Sequence, residues 1–94
     1  MEKIFRMIYY IYVLQNSQTK MFYIGFTRDL KRRLIEHQNS RSTFTRKNTK
    51  MGKWKLIYFE GYCNQKDAEG REKFLKGGSG RRYLKKQLKN YFNN

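Results

Sequence analysis

The stretch from Tyr9 to His37, YYIYVLQNSQTKMFYIGFTRDLKRRLIEH, decides the reading of this chain. Two short runs, Tyr9-Tyr10-Ile11-Tyr12-Val13-Leu14 and Met21-Phe22-Tyr23-Ile24-Gly25, are rich in aromatic and β-branched residues. The polar segment Gln15–Lys20 separates them, which predicts a β-hairpin over 8–15 and 21–26 with a loop longer than the tightest types. Asp29 then stands where a helix would be capped, with Leu30 and Leu34 at i, i+4 on an apolar stripe. Arg33 and His37 are also four apart and share a helical face. A strand–strand–helix unit is therefore expected to present Tyr12, Tyr23, Arg33 and His37 together.

The rest of the chain extends that unit. Residues 40–53 are polar and basic with one apolar aromatic, Phe44, and are expected to form a long loop. Trp54–Glu60 is the third strand candidate. Asn64 opens a second helix, with Asp67 at its third position in a capping-box-like arrangement. Ala68, Glu72 and Leu75 fall on one face of it. The run Gly77-Gly78-Ser79-Gly80 is expected to stop that helix through a left-handed glycine cap. A last helix over 81–92 then sets Leu84, Leu88 and Tyr91 or Phe92 against the core. The order β-β-α-β-α-α predicts a small α/β domain, a three-stranded sheet with helices packed on it, spanning 8–92 after a lead-in over 1–7.

Composition narrows the partners. Ninety-four residues with 38% hydrophobic content support one core, helped by 17% aromatic residues. The 22 Lys and Arg against 7 acidic residues give a net charge of +15, which favours a polyanion. Nucleic acid is the leading partner, with RNA left open. A membrane is not expected, since no run approaches the ~20 apolar residues of a span and the last helix needs its apolar stripe for the core. The opening MEKIFRMIYY lacks the pattern of a secretory leader, and the single cysteine, Cys63, forms no intramolecular disulfide, so the cytoplasm is the expected setting.

Several side chains carry two readings each from pattern alone. Glu72 is either a metal-binding carboxylate or an i, i+4 partner of Lys76. Tyr12 and Tyr23 are either packed strand aromatics or reactive phenols, and Arg33 either a surface cation or a fork for phosphate. His37, the one histidine, is either a helix-end surface group or a proton acceptor. Arg28, Lys31, Arg32, Arg41, Arg46, Lys47, Lys50, Lys53, Arg81, Arg82, Lys85 and Lys86 are expected to track phosphates without reading sequence. Tyr58 and Glu60, on the third strand, are candidates to flank the site.

Tyr10-Ile11-Tyr12, Tyr23-Ile24-Gly25, Arg33, His37 and Glu72 together resemble the GIY-YIG nuclease domain, in its small single-domain form. The second motif tyrosine follows the first by eleven residues, the arginine comes ten further on and the histidine four after that. The resemblance implies DNA cleavage by one-metal phosphodiester hydrolysis, with Tyr12, Tyr23, Arg33, His37 and Glu72 catalytic. It implies one Mg²⁺ or Mn²⁺ held by Glu72, activation of water by Tyr12, and a phosphate or water contact from Tyr23. The basic surroundings are expected to lower the Tyr12 pKa. With no base-reading motif visible, structure-selective or weakly sequence-specific cutting is expected. Tyr10 stands where the motif usually has glycine, Phe26 where many members have a lysine or small polar residue (Arg28 is the candidate to replace that charge), and a late asparagine has no clear equivalent. The competing reading is a basic DNA-binding module with weak or lost catalysis.

Overall fold

In the computed structural model, which describes residues 7–38 and 52–93, the first strand becomes the middle one. β1 (Tyr9–Asn16) pairs antiparallel with β2 (Phe22–Thr27) on one side and with β3 (Trp54–Tyr62) on the other, giving the order β2-β1-β3. A central strand has neighbours on both edges and cover on both faces, and Ile11 to Asn16 are accordingly all buried. The loop between β1 and β2 is organised by Asn16, whose Oδ1 accepts from the backbone N–H of Gln18 and Thr19. Registers of Tyr12 with Gly25 and Phe59, and of Val13 with Ile24 and Tyr58, fix what each face carries. A register shift in the β1–β3 ladder falls between Val13 and Leu14.

The two faces have different covers. Ile11 and Val13 pack with Ala68 and Leu75 of α2 (Gln65–Lys76) and Leu84 of α3 (Gly78–Gln87), which is the main core. The other face holds Tyr12 beneath α1 (Leu30–Gln38), whose His37 is buried against it. Asp29 caps α1 as its position predicts, its Oδ1 accepting from the Arg32 N–H at 3.1 Å. Asn64 caps α2 by accepting from the Lys66 N–H. The fold class is thus the expected one, three antiparallel strands with helices packed on them.

The C-terminal region differs from the sequence expectation. Only Gly77 interrupts the helices, in extended conformation with φ −87° and ψ 174°, and not as a left-handed cap. Gly78, Ser79 and Gly80 begin α3, where the buried Gly80 lies against the backbone of Phe74 and Leu75 at the end of α2. Close helix approach, and not helix termination, explains Gly80. The final helix is also split at Leu88, leaving α4 (Lys89–Phe92) as one short turn. Residues 1–6 of the lead-in and residues 39–51, which hold Phe44 and most of the expected loop, lie outside the described residues.

Candidate active site

Four of the sequence-selected side chains meet on the α1 face of the sheet. Tyr12, fully buried on the central strand, places its hydroxyl 2.9 Å from His37 Nε2. The Tyr23 ring, one strand over, lies 5.0 Å from the His37 ring and 6.1 Å from the Tyr12 ring, centroid to centroid. Arg33, one helical turn before His37, acts electrostatically on both phenols. Its guanidinium is anchored by Glu36 at 2.7 Å, and Glu36 also takes Arg32 at 3.2 Å. Glu36 went unnoticed in the sequence, although i, i+3 and i, i+4 spacing to the two arginines was visible there. It fixes the direction of the Arg33 guanidinium.

Gly25 explains how Tyr12 fits. A Cβ on Gly25 would collide with the Tyr12 ring Cζ, Cε1 and hydroxyl, so the tyrosine occupies the space that glycine leaves. Gly25 and Tyr23 in turn line an open cleft of about 530 Å³ on the β2 edge, whose far wall is Glu72, Leu75 and Lys76 of α2 with Arg81 of α3. Glu72 therefore faces Tyr23 and Gly25 across a cleft and is not in the Tyr12–His37 cluster itself. Its carboxylate pairs with Lys76 at 3.1 Å, the i, i+4 partner foreseen from the sequence. Phe26 lines the same cleft and stacks on Tyr9. Arg28 does not line it and sits in a separate depression with Tyr10, Lys31 and Leu34; the cations at the Glu72 cleft are Lys76 and Arg81.

The electrostatics reverse one expectation. Burial, reinforced by Tyr23, pushes the Tyr12 phenol well above its ordinary range, and Arg33 offsets only part of this. Burial, with Arg33 adding to it, pushes the His37 imidazole down to about 4. Glu36 lies below the usual carboxylate range through its hydrogen bond from Arg33. The site thus pairs a neutral phenol with a neutral imidazole, where positive charge had been expected to favour a phenolate.

Tyr58 and Glu60 do not flank this cluster. The register of Tyr58 with Val13 and of Glu60 with Ile11 turns both to the opposite face. There Glu60 accepts from Arg71 Nε and Nη2, at 2.8 and 2.9 Å, and from the hydroxyls of Tyr58 and Tyr62. Burial raises the Glu60 carboxyl, but the hydrogen bonds from Arg71 and the two phenols outweigh it and leave it lowered. Arg71 lies over the Tyr83 ring at 4.4 Å, completing a polar tie between β3 and the helices.

Of the expected phosphate contacts, Arg28, Lys31, Arg32, Lys53, Arg81, Arg82, Lys85 and Lys86 are exposed, while Arg41, Arg46, Lys47 and Lys50 lie outside the described residues. Arg32 is paired with Asp29 and Glu36. Among the described residues no three His, Cys, Asp or Glu side chains converge as a metal cluster, and no helix is long and apolar enough to cross a membrane.

Residues 8–90 match the family model of the GIY-YIG catalytic domain. The chain belongs to the GIY-YIG family. This membership brings nuclease chemistry in general and a nucleic acid as the class of substrate. Among curated relatives, it is 34% identical over 68 residues to a UPF0213 protein of Clostridium perfringens (strain 13 / Type A), covering 71% of this chain and 69% of that one. It is 38% identical over 68 residues to a UPF0213 protein of Limosilactobacillus reuteri (strain DSM 20016), covering 72% and 70% of the two chains. A UPF0213 protein of Pediococcus acidilactici is 34% identical over 82 residues, covering 87% of this GIY-YIG chain and 82% of its own. No solved structure matches it significantly.

Proposed function

We propose that this GIY-YIG domain is a divalent-metal-dependent DNA endonuclease, selective for the structure of the DNA more than for its sequence. The observation that carries the reading is the Tyr12–His37 hydrogen bond beside the anchored Arg33, with Glu72 facing the same strand from the far wall of the cleft. Phosphodiester hydrolysis needs a water stripped of a proton, a cation on the phosphate and a stabilised leaving oxygen. A phenol held above its ordinary pKa is no base by itself. It becomes one if it passes its own proton on as it receives another. With the imidazole proton on Nδ1, His37 Nε2 accepts from the Tyr12 hydroxyl; as water attacks phosphorus, its proton moves to Tyr12 and the Tyr12 proton to His37. Burial keeps His37 neutral and able to accept at neutral pH. Arg33, with further donors beyond those Glu36 takes, bears on the phosphate.

The donor set fits a water-rich ion with one protein ligand. Glu72 stands in an open cleft, and Mg²⁺ keeps several waters and often takes only one or two carboxylates. Its pairing with the exposed Lys76 is weak enough to be displaced. When bound, a divalent ion there supplies Lewis-acid contact to the phosphate and the departing oxygen.

Phe26 in the same cleft favours the second reading, a DNA-binding module with little catalysis. Incubation of plasmid, single-stranded and branched DNA with Mg²⁺ or Mn²⁺ separates the two. The proposal expects metal-dependent cutting, strongest on branched DNA and lost in Glu72→Ala. Cutting that persists in Glu72→Ala removes the carboxylate from its role, and salt-sensitive binding without any cutting establishes the module.

A further inference from the structure

Beyond the Glu72 cleft, and sharing Phe22 and Arg81 with it, a second depression of about 740 Å³ opens between the hairpin and the C-terminal helices. Its charged lining is Lys20, Lys55, Arg81 and Lys85, with no carboxylate among the described residues around it. Four cations gathered in one concavity repel one another, and an anion relieves that repulsion. Its floor is aromatic. Phe92 packs on Phe22 at 5.8 Å and on Tyr91 at 5.0 Å, and the Lys55 ammonium lies 5.1 Å from the centre of the Tyr91 ring. The rings are fixed in advance: the Tyr91 hydroxyl donates to the buried Gln15 Oε1 at 2.6 Å, and Gln15 Nε2 donates to the Lys20 carbonyl.

We propose that this depression binds an unpaired nucleotide of the substrate strand, its phosphate against the lysines and its base against Tyr91 and Phe92. Phosphate chemistry alone would suit any polyanion; cations interleaved with π faces suit a nucleotide whose base is free to stack. A duplex offers a convex backbone and buries its base faces, so it would meet only the rim. An unpaired flap or end enters the concavity. Because Phe22 and Arg81 belong to both clefts, such a nucleotide would lie on the strand leading to the Glu72 cleft. The inference rests on the nucleic-acid reading above, but it does not require catalysis.

The test uses the full chain carrying Glu72→Gln, so that binding is measured without cutting. Affinities are compared for a blunt duplex, the same duplex with a six-nucleotide single-stranded tail, and one whose tail has abasic sugars. The expected result is roughly tenfold tighter binding of the tailed duplex, mostly lost with the abasic tail. The preference should also be lost in Lys55→Glu/Lys85→Glu, which leaves the buried packing untouched. Photo-crosslinking from 5-iododeoxyuridine in the tail should label the peptide containing Tyr91 and Phe92. Equal affinity for tailed and blunt duplex, or labelling elsewhere, overturns the subsite. Competition by free thymidine monophosphate at concentrations matching the tailed duplex also overturns it, since a strand would then not be the ligand. Cutting by the wild type together with no tail preference rejects this inference alone; a tail preference without cutting rejects the nuclease and leaves the subsite standing.

Discussion

The Tyr12 hydroxyl stands 2.9 Å from His37 Nε2, although the two residues are 25 positions apart in the chain and both side chains are buried. One comes from the central strand and the other from the last turn of α1, so the bond ties the sheet to the helix that covers this face. It also joins two groups whose pKa values move apart, the phenol upward and the imidazole down to about 4.

Removing one atom tests that bond. Tyr12→Phe keeps the ring and deletes the hydroxyl, leaving His37 Nε2 without that partner at a cost of about 1–2 kcal/mol. Single-turnover cleavage should fall on the order of 10²–10⁴-fold, while the circular dichroism spectrum stays that of the wild type. Tyr10→Phe, on the same strand, should cut as the parent does. Equal loss in both variants would show that the Tyr12 hydroxyl has no particular role.

The imidazole also sets a pH dependence of stability. A histidine lowered from 6.5 to about 4 binds fewer protons folded than unfolded between those values. Its contribution is therefore complete above pH 6.5 and is lost as pH falls from 6.5 to 4. The lowered Glu36 and Glu60 carboxyls lose theirs further down, as pH falls from the usual carboxylate range through their lowered values. Urea midpoints should fall between pH 7 and pH 5 in the wild type and stay nearly level in His37→Gln. A wild type as stable at pH 5 as at pH 7 would rule this out.

Gly25 is required by its neighbour across the ladder. Alanine there would place a methyl group inside the Tyr12 ring, which sits deep in the core and cannot swing away. Gly25→Ala should cost roughly 1–3 kcal/mol in stability, and its cleavage should fall toward that of Tyr12→Phe as the hydroxyl is pushed off His37. Thermal melts and cleavage rates on the same preparation measure both. Wild-type cleavage by the alanine variant would mean that the ring has room that the packing denies.

How far the sequence was legible follows from which physical quantity each feature depends on. Strand and helix positions came from periodicity and capping, which are local, and Asp29 and Asn64 cap where their spacing predicts. Proximity of Tyr23 to His37 followed from a hairpin facing a helix. The direction of the Tyr12 shift was not legible, because net charge argued for lowering while burial, which only the packed helix supplies, argued for raising. Glu60 was misplaced for a related reason. A strand glutamate normally faces water, and its partner Arg71 lies eleven residues on, on another element.

That half-buried pair should act on stability and not on cleavage. Glu60→Ala leaves the Arg71 guanidinium and two phenols without their shared acceptor on the face away from Tyr12. The pair retains some exposure, so a loss of about 2 kcal/mol is expected, below that of a fully buried pair. In a domain of this size that corresponds to a fall in Tm of roughly 10 °C. Cleavage measured well below the new Tm should match the wild type; a cleavage defect there would mean that the two faces communicate.

The glycines of the last helices make opposite predictions from one composition. Gly80 is buried where α3 crosses the end of α2, and a Cβ would overlap the Phe74 carbonyl and the Leu75 backbone, neither of which can yield as a flexible side chain would. Gly80→Ala should destabilise by roughly 1–3 kcal/mol. Gly70 sits mid-α2, exposed, with nothing within 4 Å of a Cβ. Gly70→Ala should therefore stabilise by about 1 kcal/mol, through the lower backbone entropy cost of alanine in a helix. Melting the two variants beside the wild type decides whether packing or chain stiffness governs this region. If the glycine run served to end the helix, Gly78→Ala, next to the break at Gly77, would be about as harmful as Gly80→Ala. The close approach of α2 and α3 instead predicts that Gly78→Ala, at an exposed helix start, is tolerated.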